Sequence, residues 1–447
     1  MMNLGKAAII YSEMGKIFKD GDSPYLTEAI KHQKHKICDL MHILNSEAVL
    51  YIKRSTSTTN IIKSLKVDDI EVVGLKRKGY YMSQHVDKNT ICELAKPAPF
   101  GKGNETVYDE EIRKALEISG DRIKIQYENP NVFKTYFNDV FIPKNKKFSF
   151  KLYKMQIYKE GGKFKRHKDT VHAPNHYATL VLGITYDYMG GDLVLYGDDG
   201  NELTQCNFNT RVYESIMFLT DVDHEVLPVT SGIRIVLQYD VYLEDNLEEV
   251  NKENLDEETD EETYEEELEE DCVFNIGAKN FLSRREYVEN LSNNINVTLL
   301  DEIDKFMNDN PKDEFCFLLT REYPLAISIE NLKAGDRTLY DILSSKYSVE
   351  IGYVVNSFKT DYEGKCDPDE KRKLKVMNYS NTQKFLNKFN NKEILDNKEK
   401  DKNNTHLFIS SASFNQTKYE SYIEYTGNEA AEGEFTYVSV VLSCCRK

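Results

Sequence analysis

Between about Phe148 and Leu243 the chain is a succession of short apolar runs that alternate with polar residues and are separated by Gly and Asp. The runs are SFKLYKMQIY, ATLVLGITY, GDLVLY, SIMFL and IRIVLQYDVY, and they are rich in β-branched and aromatic residues. Alternation with a period of two, interrupted by turn residues, is typical of strands in a sandwich or barrel. This stretch therefore predicts an all-β domain, and it constrains the fold more than any other part of the chain.

The whole chain has 447 residues, which is more than one hydrophobic core usually supports, so we expect several domains. Residues 25–45 have a helical pattern, and residues 109–118 (DEEIRKALEI) predict a short amphipathic helix. The segment after residue 271 mixes helical stretches with strand-like runs such as FTYVSVVL, which predicts a second α+β domain. The predicted bounds are 1–145 for an N-terminal mixed region packing on the core, 146–243 for the β domain, 244–271 for a linker and 272–447 for the C-terminal domain.

The formal net charge of −17 is concentrated in the predicted linker. Residues 244–271 contain seventeen Asp or Glu and a single Lys, which leaves 57 basic and 58 acidic residues elsewhere. A segment with so few apolar residues has little to bury, so we expect it to be disordered. The remainder is nearly neutral and shows no basic stripe with interleaved aromatic residues, so nucleic acid is not the expected partner.

The first eighteen residues contain only a four-residue apolar stretch, which is too short for a signal peptide, and no window resembles a membrane span. The eight Cys are scattered and include no C-x-x-C pair, so we expect reduced thiols. These features predict a cytoplasmic or nuclear protein without a membrane partner. The oligomeric state stays open.

The β-rich segment contains His167-Lys168-Asp169, then His224, then Arg234. Non-haem Fe(II) sites use two imidazoles and one carboxylate on one face of the metal. An H-x-D pair supplies two such ligands from one extended segment, because residues i and i+2 point to the same side. A third ligand from a distant strand completes the set, and an Arg ten residues beyond it is suited to a bidentate contact with a carboxylate.

A single H-x-D pair carries little information, and this chain contains a second one in His85-Val86-Asp87. The next His after that pair is His167, and the tenth residue beyond it is Tyr177, which is not a cation. We therefore expect His85 and Asp87 to have a structural or surface role.

Residues 150–243 resemble the 2-oxoglutarate and Fe(II)-dependent dioxygenases of the prolyl 4-hydroxylase type. The matching stretches are KLYKMQIYKEGGKFKRHKDT, ATLVLGITY, GGDLVLY and FLTDVDHEVLPVTSGIRIVLQYDVY. The resemblance implies that His167, Asp169 and His224 bind iron and that Arg234 pairs with the distal carboxylate of 2-oxoglutarate. It also places Tyr158 near the residue of the family that contacts the co-substrate, and Gly190-Gly191 at the turn into the strand opposite the metal.

The resemblance further implies an α+β protein with a double-stranded β-helix (jelly-roll) core. The strand-like runs of the C-terminal α+β domain suggest that it is a second, degenerate β-helix without a metal. The implied activity is hydroxylation of a C–H bond, by default in a prolyl or other side chain of a protein, with release of succinate and CO2. Fe(II), 2-oxoglutarate and O2 are the implied cofactor and co-substrates, and ascorbate is the implied reductant.

Two alternatives remain open at the level of sequence. One is a dioxygenase that acts on a small molecule or a nucleobase, and the other is a non-catalytic scaffold whose acidic linker binds a basic partner. His172 and His176 fall in a predicted loop over the site, where we expect a plain surface role. The C-terminal domain contains only one His, His406, so it cannot assemble a comparable ligand set.

Overall fold

The structure is a computed structural model, and its chain divides into two units. The central unit is Val49–Tyr287, and the terminal unit combines Met1–Ala48 with Val288–Lys447. No helix in the described part of the chain is long and apolar enough to cross a membrane. The structure describes residues 37, 40, 50–56, 61–78, 81–102, 105–127, 133, 146–197, 200–208, 213–245, 275–276, 295–309, 314–324, 326–360, 373–377, 406–409, 417–422 and 433–447.

The described part of the central unit consists mainly of strands, with one short helix, α1 (Lys88–Leu94). The strands are β1 (Tyr51–Thr56), β2 (Ile62–Val67), β3 (Ile70–Lys78), β4 (Tyr81–Val86), β5 (Lys96–Pro97), β6 (Phe100–Lys102), β7 (Glu105–Val107), β8 (Arg113–Lys114), β9 (Leu116–Ser119), β10 (Ile123–Tyr127), β11 (Lys146–Tyr158), β12 (Lys163–His167), β13 (His176–Gly183), β14 (Tyr188–Gly190), β15 (Leu193–Tyr196), β16 (Glu202–Cys206), β17 (Tyr213–Leu219), β18 (Asp223–Val226), β19 (Val229–Gly232), β20 (Arg234–Asp245) and β21 (Asn275–Ile276).

Two antiparallel sheets form the core of the central unit. The major sheet has the order β21-β1-β17-β13-β20-β11-β9-β5, and the minor sheet has the order β16-β15-β18-β12-β8. Phe218 of β17 packs against His224 of β18, with 4.8 Å between their ring centroids, so the inner faces of the two sheets meet there. Each of the five runs predicted as strands lies largely within a strand of these sheets, which confirms the prediction of a strand-rich core.

The longest of those runs forms β20, which lies between β13 and β11 in the major sheet. A strand paired on both sides and covered on both faces tolerates few exposed positions, and residues 234–241 of β20 are all buried. This strand also carries the buried polar side chains Arg234, Gln238 and Asp240 at alternate positions, which brings them to one face of the sheet.

The helix predicted for residues 109–118 is wrong. The Asp109 side chain accepts a hydrogen bond from the Glu111 N–H (2.9 Å), which makes a single turn, and β8 and β9 follow it. Residue Ile118 is fully buried and lies opposite Met155 in the pairing of β9 with β11. Pairing with a long neighbouring strand thus outweighs the helical propensity of this short segment.

The described part of the terminal unit contains two longer helices and one sheet. The helices are α2 (Ile295–Asp309) and α3 (Ala334–Ser344). The strands are β22 (Glu314–Leu318), β23 (Tyr347–Thr360), β24 (Lys373–Met377), β25 (His406–Ile409), β26 (Thr417–Tyr422) and β27 (Gly433–Arg446). The sheet has the order β24-β23-β27-β22-β25, with β26 also paired to β27, and β22 and β25 run parallel.

The terminal unit has its own hydrophobic core, in which Ile37 of the N-terminal region is fully buried beside Phe306, Phe315 and Leu339. This division differs from the bounds predicted from the sequence, which group residues 1–145 with the β domain. Of the helix predicted over 25–45, the structure describes only Ile37 and Leu40, both of which are helical. The predicted acidic linker lies outside the described residues beyond residue 245.

Candidate metal centre

The pairing of β12 with β18 places two distant histidines side by side. In this antiparallel pair His167 lies directly opposite His224. Asp169 follows β12 by two residues, and the Oδ1 atom of its carboxylate lies 3.7 Å from the Nε2 atom of His224. One candidate ligand atom from each of the three side chains lies within 4.8 Å of the other two. The structure thus brings together the three residues that the sequence singled out as iron ligands.

Hydrogen bonds to the backbone leave both imidazoles with the same nitrogen available. The Nδ1–H of His167 donates to the carbonyl of Lys165 (2.8 Å), and the Nδ1–H of His224 donates to the carbonyl of Val222 (3.0 Å). A neutral imidazole that donates through Nδ1 keeps its lone pair on Nε2. Metal-binding histidines are usually fixed in this way, so the tautomers suit a shared cation.

The carboxylate of Asp169 is oriented by the other sheet. Its Oδ2 atom accepts a hydrogen bond from the hydroxyl of Thr179 on β13 at 2.6 Å. Since Oδ2 is occupied by this contact, Oδ1 is the oxygen that faces His224. The hydrogen bond therefore fixes which carboxylate oxygen a bound metal would meet.

Electrostatics keeps the cluster in the protonation state that a metal requires. Burial and the neighbouring His224 lower the pKa of His167 to about 3. Burial acts to raise the pKa of Asp169, but His224, His167 and the hydrogen bond from Thr179 act against it and hold the pKa below its usual range. At neutral pH His167 is therefore neutral and Asp169 is ionised.

Two nitrogen donors and one carboxylate fit Fe(II), because this ligand set is diagnostic of non-haem iron sites with open positions. Aromatic rings hold the two imidazoles in place. The ring of Phe164 stacks on His167 with 3.5 Å between centroids, and Phe218 packs against His224 from the major sheet.

Arg234 is the first residue of β20, lies opposite Tyr158 of β11, and is 1% exposed. Its guanidinium carbon lies 5.1 Å from the ring centroid of Tyr158 and 5.1 Å from that of Phe208. The Nε and Nη1 atoms have no hydrogen-bond partner among the described residues. Buried donors without partners are costly, so the guanidinium fits a site for a carboxylate ligand.

The hydroxyl of Tyr158 is already in use, because it donates to Oε1 of Gln156 at 2.9 Å. Gln156 in turn donates to the side-chain carbonyl of Gln238 on β20. Tyr158 therefore offers its ring face to Arg234, while its hydroxyl belongs to a side-chain network between β11 and β20.

Gly191 belongs to the Gly-Gly turn noted in the sequence and has a left-handed backbone, with φ of +70°. A Cβ atom at this position would lie 2.7 Å from Cγ2 of Val229 and 3.0 Å from Cδ of Arg234. Only glycine meets both the conformation and the close approach without strain. Its absent side chain leaves the space that the stem of Arg234 occupies.

Several side chains around this centre were not found from the sequence. Thr179 faces Asp169 because β13 presents it to the inner side of the sandwich. Arg113, Glu117 and Lys154 come together because β8 and β9 are strands, whereas a helix was predicted there. The period of two along β13 could have identified Thr179 as a residue that faces the site. The grouping of Arg113, Glu117 and Lys154 depends on pairings between distant segments.

A second cluster of similar composition joins His172, His176 and Asp240. The surface role predicted for His176 is wrong, since it opens β13 and is 2% exposed. The backbone N–H of His172 donates to Nδ1 of His176 (3.1 Å), so Nε2, which faces Asp240, carries a proton. His176 therefore has no lone pair directed at the cluster, unlike both histidines of the metal centre.

The other H-x-D pair is part of a different sheet. His85 is in β4 of the sheet β10-β2-β3-β4, and Asp87 caps α1 by accepting a hydrogen bond from the Thr90 N–H (3.2 Å). Asp87 thus has the structural role that was predicted for it.

Comparison with known proteins identifies a family for the segment that contains the site. The model of the 2OG-Fe(II) oxygenase superfamily matches residues 153–239. No curated protein matches the chain.

Similar solved structures include a 2OG-Fe(II) oxygenase family oxidoreductase from Burkholderia pseudomallei, with 14% identity, coverage of 35% of this chain and 78% of that chain, and a TM-score of 0.23. A prolyl-4-hydroxylase from Pseudomonas putida has 18% identity, coverage of 35% and 81%, and a TM-score of 0.24. A prolyl hydroxylase from Trichoplax adhaerens, in complex with a hypoxia inducible factor oxygen degradation domain peptide fragment, has 16% identity, coverage of 36% and 76%, and a TM-score of 0.25.

The family match rests on sequence, and the geometry of the cluster is independent of it. The three clustered side chains and Arg234 all fall inside the matched segment. Enzymes of this family are 2-oxoglutarate-dependent dioxygenases that use Fe(II) and O2. The clustered side chains therefore lie in a segment, residues 153–239, that matches the model of the 2OG-Fe(II) oxygenase superfamily.

Proposed function

We propose that this protein hydroxylates a C–H bond in a prolyl or other side chain of a protein or peptide, with release of succinate and CO2. The observation that carries the proposal is the combination of the His167, Asp169 and His224 cluster with a buried Arg234, whose Nε and Nη1 donors have no partner in the described part of the chain. The choice of a protein substrate, with proline as the default, rests on the resemblance to the prolyl 4-hydroxylase type.

In this proposal His167 and His224 bind Fe(II) through Nε2, and Asp169 binds it through Oδ1. When bound, Fe(II) and 2-oxoglutarate together supply the oxidative decarboxylation that drives hydroxylation. The contribution of the protein is geometric, because the carbonyls of Lys165 and Val222 fix the two rings. The hydroxyl of Thr179 fixes the carboxylate.

Arg234 binds the distal carboxylate of 2-oxoglutarate. Its Nε and Nη1 donors are available among the described residues, and its charge is permanent. The rings of Tyr158 and Phe208 flank the guanidinium and exclude water from it. Tyr158 acts as a wall, since its hydroxyl donates to Gln156.

Three further expectations belong to the proposal. Ascorbate maintains activity as a reductant, the segment 146–243 is a double-stranded β-helix, and the C-terminal domain serves substrate recognition or dimerisation. These expectations come from the family resemblance and from the separate core of the terminal unit.

The test is a turnover assay on the full chain. Purified protein with Fe(II), ascorbate, 2-oxoglutarate and a broad peptide mixture should release succinate, and His167→Ala or Asp169→Ala should abolish the release. His85→Ala is the matched control, because it removes the histidine of the other H-x-D pair and should leave turnover unchanged. If the wild type consumes no 2-oxoglutarate under these conditions, the catalytic proposal fails and a scaffold role is favoured.

A further inference from the structure

A second guanidinium in the central unit also has donors without a hydrogen-bond partner among the described residues. Arg113 of β8 is 5% exposed, and its Nη1 donates to the carbonyl of Pro99. Its Nε and Nη2 atoms have no hydrogen-bond partner among the described residues. Such orphaned donors are few in folded proteins and call for a physical reason. In the proposed function, the carboxylate of 2-oxoglutarate pairs with the donors of Arg234. Arg113 lies on another strand and requires a different partner.

The nearest carboxylate does not satisfy Arg113. An oxygen of Glu117 lies 4.0 Å from Nη2, which is too far for a hydrogen bond. The same oxygen lies 3.5 Å from the ammonium group of Lys154. One negative charge is therefore shared by two largely buried cations, and the group keeps a net positive charge.

Arg113 lines a cavity of about 610 Å³. Three lysines, Lys96, Lys114 and Lys159, line the same cavity and form no ion pair in the part of the chain that the structure describes. Of the two acidic residues in its lining, Asp109 is engaged by the backbone N–H of Glu111. The cavity is therefore cationic on balance, and Arg113, the buried charged residue of its lining, marks its buried end.

The cavity is adjacent to the metal centre. The guanidinium carbon of Arg113 lies 4.6 Å from the ring centroid of Phe164, and that ring stacks on His167 with 3.5 Å between centroids. Gly162, which lines the cavity, immediately precedes β12, the strand that ends at His167. A group held by Arg113 is thus separated from a candidate iron ligand by a single aromatic ring.

We propose that this cavity binds an acidic side chain of the substrate, so that the enzyme selects peptides carrying Asp or Glu close to the residue that is hydroxylated. This inference rests on the proposed function and deepens it by naming the substrate class. Arg113 forms a charge-assisted pair with the carboxylate at the buried end, and Lys114 and Lys159 attract it at the rim.

The test is peptide binding without turnover. The full chain is loaded with Mn(II) in the absence of oxygen. Saturating 2-oxoglutarate is added so that Arg234 is already occupied. The protein is then titrated with peptide by calorimetry at physiological salt. The probes are a twelve-residue peptide with a central Pro and four Asp and the isosteric peptide with four Asn. We expect the Asp peptide to bind about tenfold more tightly, the ratio that one charge-assisted hydrogen bond supplies.

Variants assign that preference to the cavity. Arg113→Gln should abolish the tenfold preference, and Lys159→Ala should reduce it about threefold, as expected for an exposed charge. If Arg113→Gln misfolds because Arg113 is buried, Lys159→Ala still tests the inference, since Lys159 is exposed. Lys63→Ala, an exposed lysine of β2, is the matched control and should leave the preference unchanged.

Equal affinity of the Asp and Asn peptides for the wild type would overturn the inference. A preference that survives both Arg113→Gln and Lys159→Ala would also overturn it, as would inorganic phosphate that competes with the two peptides equally. The proposed function is judged separately by succinate release. A charge preference without turnover would support the cationic cavity as a binding site and refute the catalytic proposal. Turnover without a charge preference would support the catalytic proposal and refute the binding site.

Discussion

The hydrogen bond from Thr179 to Asp169 offers a direct test of how the two sheets cooperate at the metal centre. Thr179→Val is nearly isosteric and removes a 2.6 Å contact between a buried hydroxyl and an ionised carboxylate. Hydrogen bonds to charged groups contribute about 1.5–3 kcal/mol. If that energy orients the ligand oxygen, the dissociation constant for Mn(II) should rise about 10- to 100-fold, the range found for contacts that support metal ligands.

Thr185→Val is the matched control for this prediction. Thr185 is also buried, and its hydroxyl oxygen accepts a hydrogen bond from the N–H of Ile235 at 2.8 Å, away from the three ligands. Its loss leaves a buried donor without a partner and should cost about 1–3 kcal/mol of unfolding free energy. The affinity for Mn(II) should not change.

Isothermal titration of Mn(II) into the wild type and both variants, together with urea unfolding of each, measures the two effects separately. The reasoning is refuted if Thr179→Val binds Mn(II) as tightly as the wild type. It is equally refuted if Thr185→Val weakens Mn(II) binding to the same extent, because the effect would then be general loss of stability.

Two further predictions concern Arg234 and Tyr127 of the same unit. Arg234→Ala should raise the 2-oxoglutarate concentration needed for half-maximal turnover about 10- to 100-fold, while Mn(II) binding by calorimetry stays within twofold; an unchanged requirement would place the anchor elsewhere. Burial raises the pKa of Tyr127 to about 12, and its hydroxyl is hydrogen-bonded to that of Tyr239. Tyr127 ionises at a lower pH in the unfolded chain than in the folded protein, so the free energy of unfolding should fall as the pH rises above 10. Tyr127 should contribute about 1.4 kcal/mol of this fall between pH 8 and 11. Urea unfolding should show a smaller decline in Tyr127→Phe and an unchanged one in the exposed control Tyr108→Phe.

The sequence predicted the strands of the core because their pattern is local. Alternation of apolar and polar residues identifies β11 directly, and β13 and β20 are recognisable as apolar runs. The candidate metal ligands were also predictable, because His167, Asp169 and His224 stand at spacings that a known family shares.

What the sequence did not predict depends on pairing between distant segments. Arg113 and Glu117 lie in a segment with a helical pattern, and only its pairing with β11 and β12 turns it into strands. His176 was expected at the surface because it lies in a predicted loop. The residues around it in the sequence do not show that β20 places Asp240 beside it. Such contacts are set by register, which is not readable from one strand alone.

The composition of the terminal unit affects how the protein is made and divided. Ile37 is buried in a core whose other members come from residues after 298, so this unit is discontinuous in sequence and the central unit is inserted within it. On the ribosome, Ile37 emerges long before the residues it packs against, and the oxygenase segment is complete while the core around Ile37 is still missing. A clone that ends after residue 287 would leave this isoleucine without its core. Expression of the central unit by itself therefore requires a cut on both sides, near residues 49 and 287, and a single truncation at either end leaves part of the terminal unit attached.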